Sequence, residues 1–206
     1  MTPLTRITSR AAFLPEENVD TDIIFPARFL LLMDRDGLGR YAFHDRRFDR
    51  DGNAIPGFVL DDPEFADAKI LIAGDGFGCG SSREQAVWAL AGHGIRCVIA
   101  PSFGEIFAGN CAKNGVLTIT LPQAQIETLG ALAQEKKSFE IDLERRTFHV
   151  EGDKVADLDL PETERQMLVN GWDETDLLLR DEGAAIDAFE RAHRDAQPWL
   201  FEDPAR

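Results

Sequence analysis

The sequence predicts an α/β fold, a mixed sheet with flanking helices, on three observations. A short apolar run, Lys69-Ile-Leu-Ile-Ala73, leads through a glycine-rich turn into a helix-type segment, Ala86-Val-Trp-Ala-Leu90. A further strand–helix–strand follows: Cys97–Ala100, a helix ending near Lys113-Asn114-Gly115, and Val116-Leu-Thr-Ile-Thr120. Two alternating runs, Phe139–Leu143 and Thr147–Val150, then make a hairpin across Glu144-Arg145-Arg146. The strand order stays open.

Taken in order, residues 3–14 read as one strand ended by Pro15. Asn18-Val-Asp-Thr-Asp22, before Ile23 and Ile24, has the composition of a turn with Asx hydrogen bonds. Residues 34–68 are polar and turn-rich, yet aromatics recur through them, which predicts a folded excursion. Ser81/Glu84 and Ser82/Gln85 both have capping-box spacing, so the helix should begin at one of these serines; Ser102/Glu105 repeats the pattern. Pro122 opens a helix to about Gln134. His149 alternates outward and should be exposed. Near the end, Asn170-Gly171 stops one helix, and another spans Gly183–Arg194. The expectation is one domain over residues 1–206, with a C-terminal helical extension from about 160.

Composition removes several function classes. The net charge of −15 argues against nucleic acid or an anionic membrane surface as partner. No apolar run approaches membrane-spanning length and no signal-peptide pattern opens the chain, so a cytoplasmic protein is expected. Cys79, Cys97 and Cys111 form no Cys-x-x-Cys pair, and His44, His93, His149 and His193 add no ligand spacing. The chain is expected to hold no metal of its own.

The chemistry concentrates in Gly74-Asp-Gly-Phe-Gly-Cys-Gly80-Ser81-Ser82-Arg83-Glu84. Glycine at alternate positions allows positive φ or close backbone approach to a ligand. A helix start offers unpaired N–H groups and partial positive charge, and Arg83 adds a full charge, so an anion suits this place. The residues argue against a nucleotide phosphate: no lysine follows the glycines, and Gly76-x-Gly78-x-x leads to Ser81 rather than glycine. The next strand also ends in Pro101-Ser102, without the acidic residue a dinucleotide fingerprint needs.

Phe77-Gly-Cys-Gly-Ser-Ser-Arg-Glu with Trp88-Ala-Leu resembles the swivel domain of the aconitase superfamily, and within it the small subunits of bacterial 3-isopropylmalate dehydratases. Asn18-Val-Asp-Thr-Asp with Ile-x-Pro-x-Arg28-Phe-Leu, and Val98-Ile-Ala-Pro-Ser-Phe with Asn110 and Asn114-Gly115, are further matching stretches, and the C-terminal pattern agrees. The resemblance covers nearly the whole chain and implies a single swivel-type β/β/α domain.

It also implies a hydro-lyase that interconverts 2- and 3-isopropylmalate in leucine biosynthesis, with a [4Fe–4S] cluster carried by a separate aconitase-type large subunit. By the same resemblance Ser81 is the base. Ser82, Arg83 and the Gly80 backbone meet the substrate, with Arg83 forking a carboxylate. Asp22, Thr21 and Cys79 support the site, and Leu31 and Leu32 lie in the loop that reads the substrate's side group. Which serine caps the helix is left open by the residues. The chain departs from the family in Gln85, where histidine is usual, and in Val87 and Val116-Leu-Thr-Ile, which lack usual prolines. Those departures keep a second hydroxy diacid, citramalate or dimethylmalate, in view. A stand-alone anion-binding module and, more remotely, a nucleotide enzyme are the readings from other classes.

Overall fold

Arg10 divides the N-terminal apolar segment into two strands, β1 (Arg6–Ser9) and β2 (Ala11–Leu14), which enter different sheets. The single strand expected over 3–14 is therefore corrected. β1 is buried on one face, whereas β2 is almost wholly buried, so the two halves suit different surroundings. The Arg10 guanidinium turns outward at the break to Glu64 at 2.5 Å. The computed structural model describes residues 1–32 and 34–201.

Two short helices follow, α1 (Thr21–Ile24) and α2 (His44–Arg47). Then come β3 (Ile70–Ala73), α3 (Glu84–His93), β4 (Cys97–Ala100), α4 (Glu105–Lys113), β5 (Leu117–Thr120) and α5 (Gln123–Gln134). The chain continues with β6 (Phe139–Asp142), β7 (Thr147–Val150), β8 (Asp153–Asp157), α6 (Glu162–Asn170) and α7 (Glu174–Ala196). The parallel and antiparallel strands of the expected mixture sort into two sheets: parallel β2-β3-β4-β5 and antiparallel β1-β6-β7-β8.

β3 and β4 are buried at every position, as central strands covered on both faces must be. Leu71, Ala73, Val98 and Ala100 point to one core, shared with α3 and with Phe107 and Cys111 of α4. Ile70, Ile72, Cys97 and Ile99 point to the other, closed by Ile126, Leu129 and Ala133 of α5 and by Ile141 and Phe148 of the antiparallel sheet. The 34–68 excursion is folded, as its aromatics predicted. Buried Arg47 anchors it, donating to the Asp61 carboxylate at 2.7–3.0 Å and to the Ala42 carbonyl at 3.1 Å.

The hairpin is present, and β8 extends it beyond what the sequence reading found. Glu151 and Gly152 both adopt positive φ, 51° and 91°, the backbone of a tight two-residue hairpin turn. β8 also overturns the exposure expected for His149. Lys154 pairs opposite it, leaving the ring half-buried and its Nδ1 enclosed without a hydrogen-bond partner.

Gly171, at φ 70°, ends α6 as Asn-Gly predicted, and Leu168 of α6 is fully buried in the second core. α7 starts well before Gly183, because Asp173 and Asp176 form a reciprocal capping box. No residue of α7 is buried. Among the described residues no helix is long and apolar enough to cross a membrane.

Candidate active site

The loops leaving β2, β3 and β4 gather at the carboxyl edge of the parallel sheet, where such sheets place their ligands. The glycine loop runs between the other two. On one side Asn18 N–H donates to the Asp75 carbonyl at 2.7 Å, Gly78 N–H to Val19 at 2.7 Å, and Thr21 N–H to Cys79 at 3.0 Å. On the other side Phe77 N–H donates to the Ser102 carbonyl at 3.1 Å, and Gly104 N–H to Phe77 at 3.0 Å.

Two glycines answer the protein's own packing rather than a ligand. A Cβ on Gly74 would lie 2.3 Å from the Glu16 carbonyl oxygen. One on Gly78, at φ 72°, would lie 2.2 Å from the Phe107 ring. Gly80 is the exposed one of the four loop glycines, beside Asp20 and Thr21. Cys79 is half-buried, with its carbonyl spent on Thr21.

Neither expected capping box forms. α3 begins at Glu84 with Arg83 as an extended N-cap that makes no side-chain cap bond. Arg83 N–H donates to the Ser81 carbonyl at 2.9 Å, closing a tight turn that holds both serines outside the helix. Ser102 likewise does not cap α4. Its hydroxyl donates to Asp75 at 2.6 Å and accepts from Gly76 N–H at 3.0 Å, bracing the glycine loop.

Freed from capping, the Ser81 hydroxyl lies 3.1 Å from Thr21 Oγ1, which is also 3.1 Å from the Ser81 carbonyl oxygen. A carbonyl only accepts, so the single Thr21 proton goes to it, and the Ser81 hydroxyl then donates to Thr21 Oγ1. Its lone pairs are left toward solvent. Thr21 is only 1% exposed, so its position is set by the core. Asp20, in the stretch where the sequence predicted Asx hydrogen bonds, caps α1 by accepting from Ile23 N–H at 2.7 Å and so holds Thr21 and Asp22 in place. Asp22 forms an ion pair with Arg83. The site therefore brings Thr21, Asp22, Cys79, Gly80, Ser81 and Arg83 together, with Ser82 exposed beside them.

Leu31 is 91% exposed and Leu32 37%, so Leu31 is not core. Met33, which ends the same apolar stretch Leu30-Leu-Leu-Met33, lies outside the described residues. A cluster the sequence reading missed sits behind the turn. Trp88 Nε1 donates to Asn114 Oδ1 at 3.0 Å, and Asn114 Nδ2 to Glu84 Oε1 at 2.8 Å. The Arg35 guanidinium covers the Trp88 ring at 4.3 Å.

The cysteines do not fit an iron–sulfur cluster. Burial pushes the Cys97 and Cys111 thiols well up, and Cys79 stands apart in the loop. Among the described residues no three His, Cys, Asp or Glu side chains gather as a ligand set.

The aconitase C-terminal domain family model matches residues 1–124, which contain the whole loop cluster. A second model, for the C-terminal domain of the 3-isopropylmalate dehydratase small subunit, matches 181–203. A 3-isopropylmalate dehydratase small subunit from Roseobacter denitrificans is 45% identical, covering 97% of this chain and 100% of its own. The chain belongs to the aconitase C-terminal domain family. Within that family, a small subunit from Rhodospirillum centenum is 47% identical over 98% of this chain and 100% of its own. A solved family structure, a 3-isopropylmalate dehydratase from Methanocaldococcus jannaschii, shares 27% identity at a TM-score of 0.65, covering 89% of this chain and 99% of that one. The aconitase-type fold follows from this likeness as well as from the parallel and antiparallel sheets with their flanking helices.

Proposed function

We propose that this chain is the small subunit of a 3-isopropylmalate dehydratase, a hydro-lyase that interconverts 2- and 3-isopropylmalate on the route to leucine. The observation that carries the reading is the end-to-end match to named small subunits, with Ser81, Thr21, Asp22 and Arg83 converging at one helix start. Ser81, after passing its own hydroxyl proton to solvent at this exposed position, is the base that takes the proton from the carbon beside a carboxylate. Its anion is stabilised by the first-turn amides of α3 and by the Thr21 hydroxyl, which turns from the Ser81 carbonyl to Ser81 Oγ as the negative charge forms. Arg83 exchanges Asp22 for the substrate carboxylate, a like-for-like swap at a bidentate donor. Ser82 and the Gly80 backbone touch the substrate, Cys79 holds Thr21, and Leu31 and Leu32 face its alkyl group.

The [4Fe–4S] cluster belongs, in this reading, to an aconitase-type large subunit, since the donor set of this chain does not suit it. The chain contributes proton and carboxylate handling, works in the cytoplasm, and forms one swivel-type domain over 1–206 with its helical extension from about 160. Gln85 and Val87 in the first turn of α3 favour a second substrate reading, citramalate or dimethylmalate, for the same chemistry.

The test is anaerobic reconstitution with the large subunit from the same source, following alkene formation from 3-isopropylmalate, citramalate and dimethylmalate. Activity on isopropylmalate in the mixture alone, abolished by Ser81→Ala, is expected. Activity confined to another diacid moves the substrate, and no activity from a formed, cluster-loaded complex refutes the reading. Tight binding of a diacid by this chain alone would favour the anion-binding module.

A further inference from the structure

The apolar residues within Phe25–Leu32 are flanked on both sides by residues that bind the same stretch of chain. On one side, Thr21 and Asp22 of α1 are bound to Ser81 and Arg83. On the other side, the Arg35 guanidinium carbon sits 4.3 Å from the centre of the Trp88 ring, one turn into α3, with Nη1 3.4 Å from Asn114 Oδ1 and the Glu84 carboxylate 4.0 Å from its guanidinium. Between the anchors Phe29 and Leu30 pack on the core, whereas Leu31 projects almost fully into solvent. The apolar residues between these anchors are thus attached on both sides to the 81–88 stretch, and where Arg35 is fastened limits where Leu31 and Leu32 can reach.

Trp88 and Asn114 are equipped to do the fastening. The indole N–H donates mainly to Asn114 Oδ1 (3.0 Å) and more weakly to Glu84 Oε1 (3.3 Å), which fixes the ring plane. Asn114, at the C-terminal end of α4, spends its amide N–H groups on Glu84 Oε1 and the Asn110 carbonyl, both at 2.8 Å, so its oxygen must face Trp88 and Arg35. A guanidinium over an oriented indole face, next to a carboxylate, gains cation–π and charge interactions together. All four groups are half-buried or exposed, so the contact is weak enough to open and close.

We propose that Arg35, Trp88, Asn114 and Glu84 form a latch that fastens the stretch carrying Leu31 and Leu32 to the first turns of α3, making Trp88 and Asn114 positioning residues for recognition of the substrate's alkyl group. The proposal rests on the dehydratase reading and adds the residues that aim its apolar loop. None of the four touches substrate in this scheme. They act through Leu31 and Leu32, so losing the latch weakens binding more than it slows chemistry.

Two arms test it. In the isolated chain with Trp172→Phe and Trp199→Phe, Trp88 is the remaining indole, and Arg35→Ala, at an exposed position, should shift its emission to the red and change its intensity. Unchanged emission overturns the latch whatever the enzyme does. In the assembled enzyme, Arg35→Ala and Asn114→Ala should raise KM for isopropylmalate at least fivefold with kcat within twofold, and Arg35→Lys, which keeps a cation over the ring, should recover most of the loss. An unchanged KM, or a fall in kcat alone, overturns the positioning role. An inactive unmodified pair overturns the dehydratase reading and that role with it, while the emission arm still decides the latch.

Discussion

Replacing Thr21 by valine tests the proton arrangement at the site directly. Thr21 and valine have nearly the same shape, and the side chain is buried, so the main change is loss of one hydroxyl 3.1 Å from both Ser81 oxygens. The Ser81 carbonyl sits on an exposed residue and can turn to water, so stability should fall by about 1 kcal/mol, the net worth of one hydrogen bond. For a domain of this size that is about 2–4 °C in Tm. Catalysis should suffer far more. A buried hydroxyl aimed at an alkoxide as it forms is an oxyanion donor, and removing one costs about 100- to 1000-fold in kcat. KM should hardly move, because Thr21 does not reach the substrate. The assay is steady-state isomerisation by the reconstituted enzyme beside thermal unfolding of the chain, with Thr21→Ser as the variant that keeps the hydroxyl. A Thr21→Val enzyme with kcat within threefold of the unmodified one would refute the assignment of Thr21 as donor to Ser81.

Gly78→Ala should destabilise the chain by about 1–3 kcal/mol more than Gly57→Ala, since both positions have positive φ but only Gly78 faces a ring, that of Phe107. Equal losses in urea unfolding would mean the ring gives way freely. Burial first, and then the charge of Arg47, holds the His93 imidazole below its ordinary 6.5. Its neutral form therefore supports folding above about pH 6.5, and this support is lost as pH falls toward the lowered folded value, because the unfolded chain binds the proton more readily. Melting temperature followed from pH 7.5 to 5 should fall less steeply in His93→Gln, and parallel curves would contradict this. Ending the chain before Glu174 removes a helix with no buried residue and the exposed Lys113–Glu174 pair, so Tm should drop by no more than about 4 °C. A much larger drop would show that α7 belongs to the folding core.

The sequence by itself determined the α/β class, the strand–glycine loop–helix, the hairpin and the family, because these are written in neighbouring residues. Apolar runs, alternate glycines and the Ser-Ser-Arg start are local patterns that survive whatever the rest of the chain does. Local rules misread the capping serines. Capping spacing at Ser81 and Ser102 is real, but a hydroxyl bonds whatever acceptor the folded chain brings nearest, and here those are Thr21 and Asp75. Likewise Arg10 ends one sheet and begins another only because the two halves of residues 3–14 find different partners. The pairing of Thr21 with Ser81 and Asp22 with Arg83 spans 60 and 61 residues, and Arg35, Trp88 and Asn114 come from three separate elements. Contacts of that kind carry no periodicity. They exist because parallel strands align their carboxyl ends on one edge, so loops far apart in sequence must share it. Only the tertiary structure decides which side chains meet there.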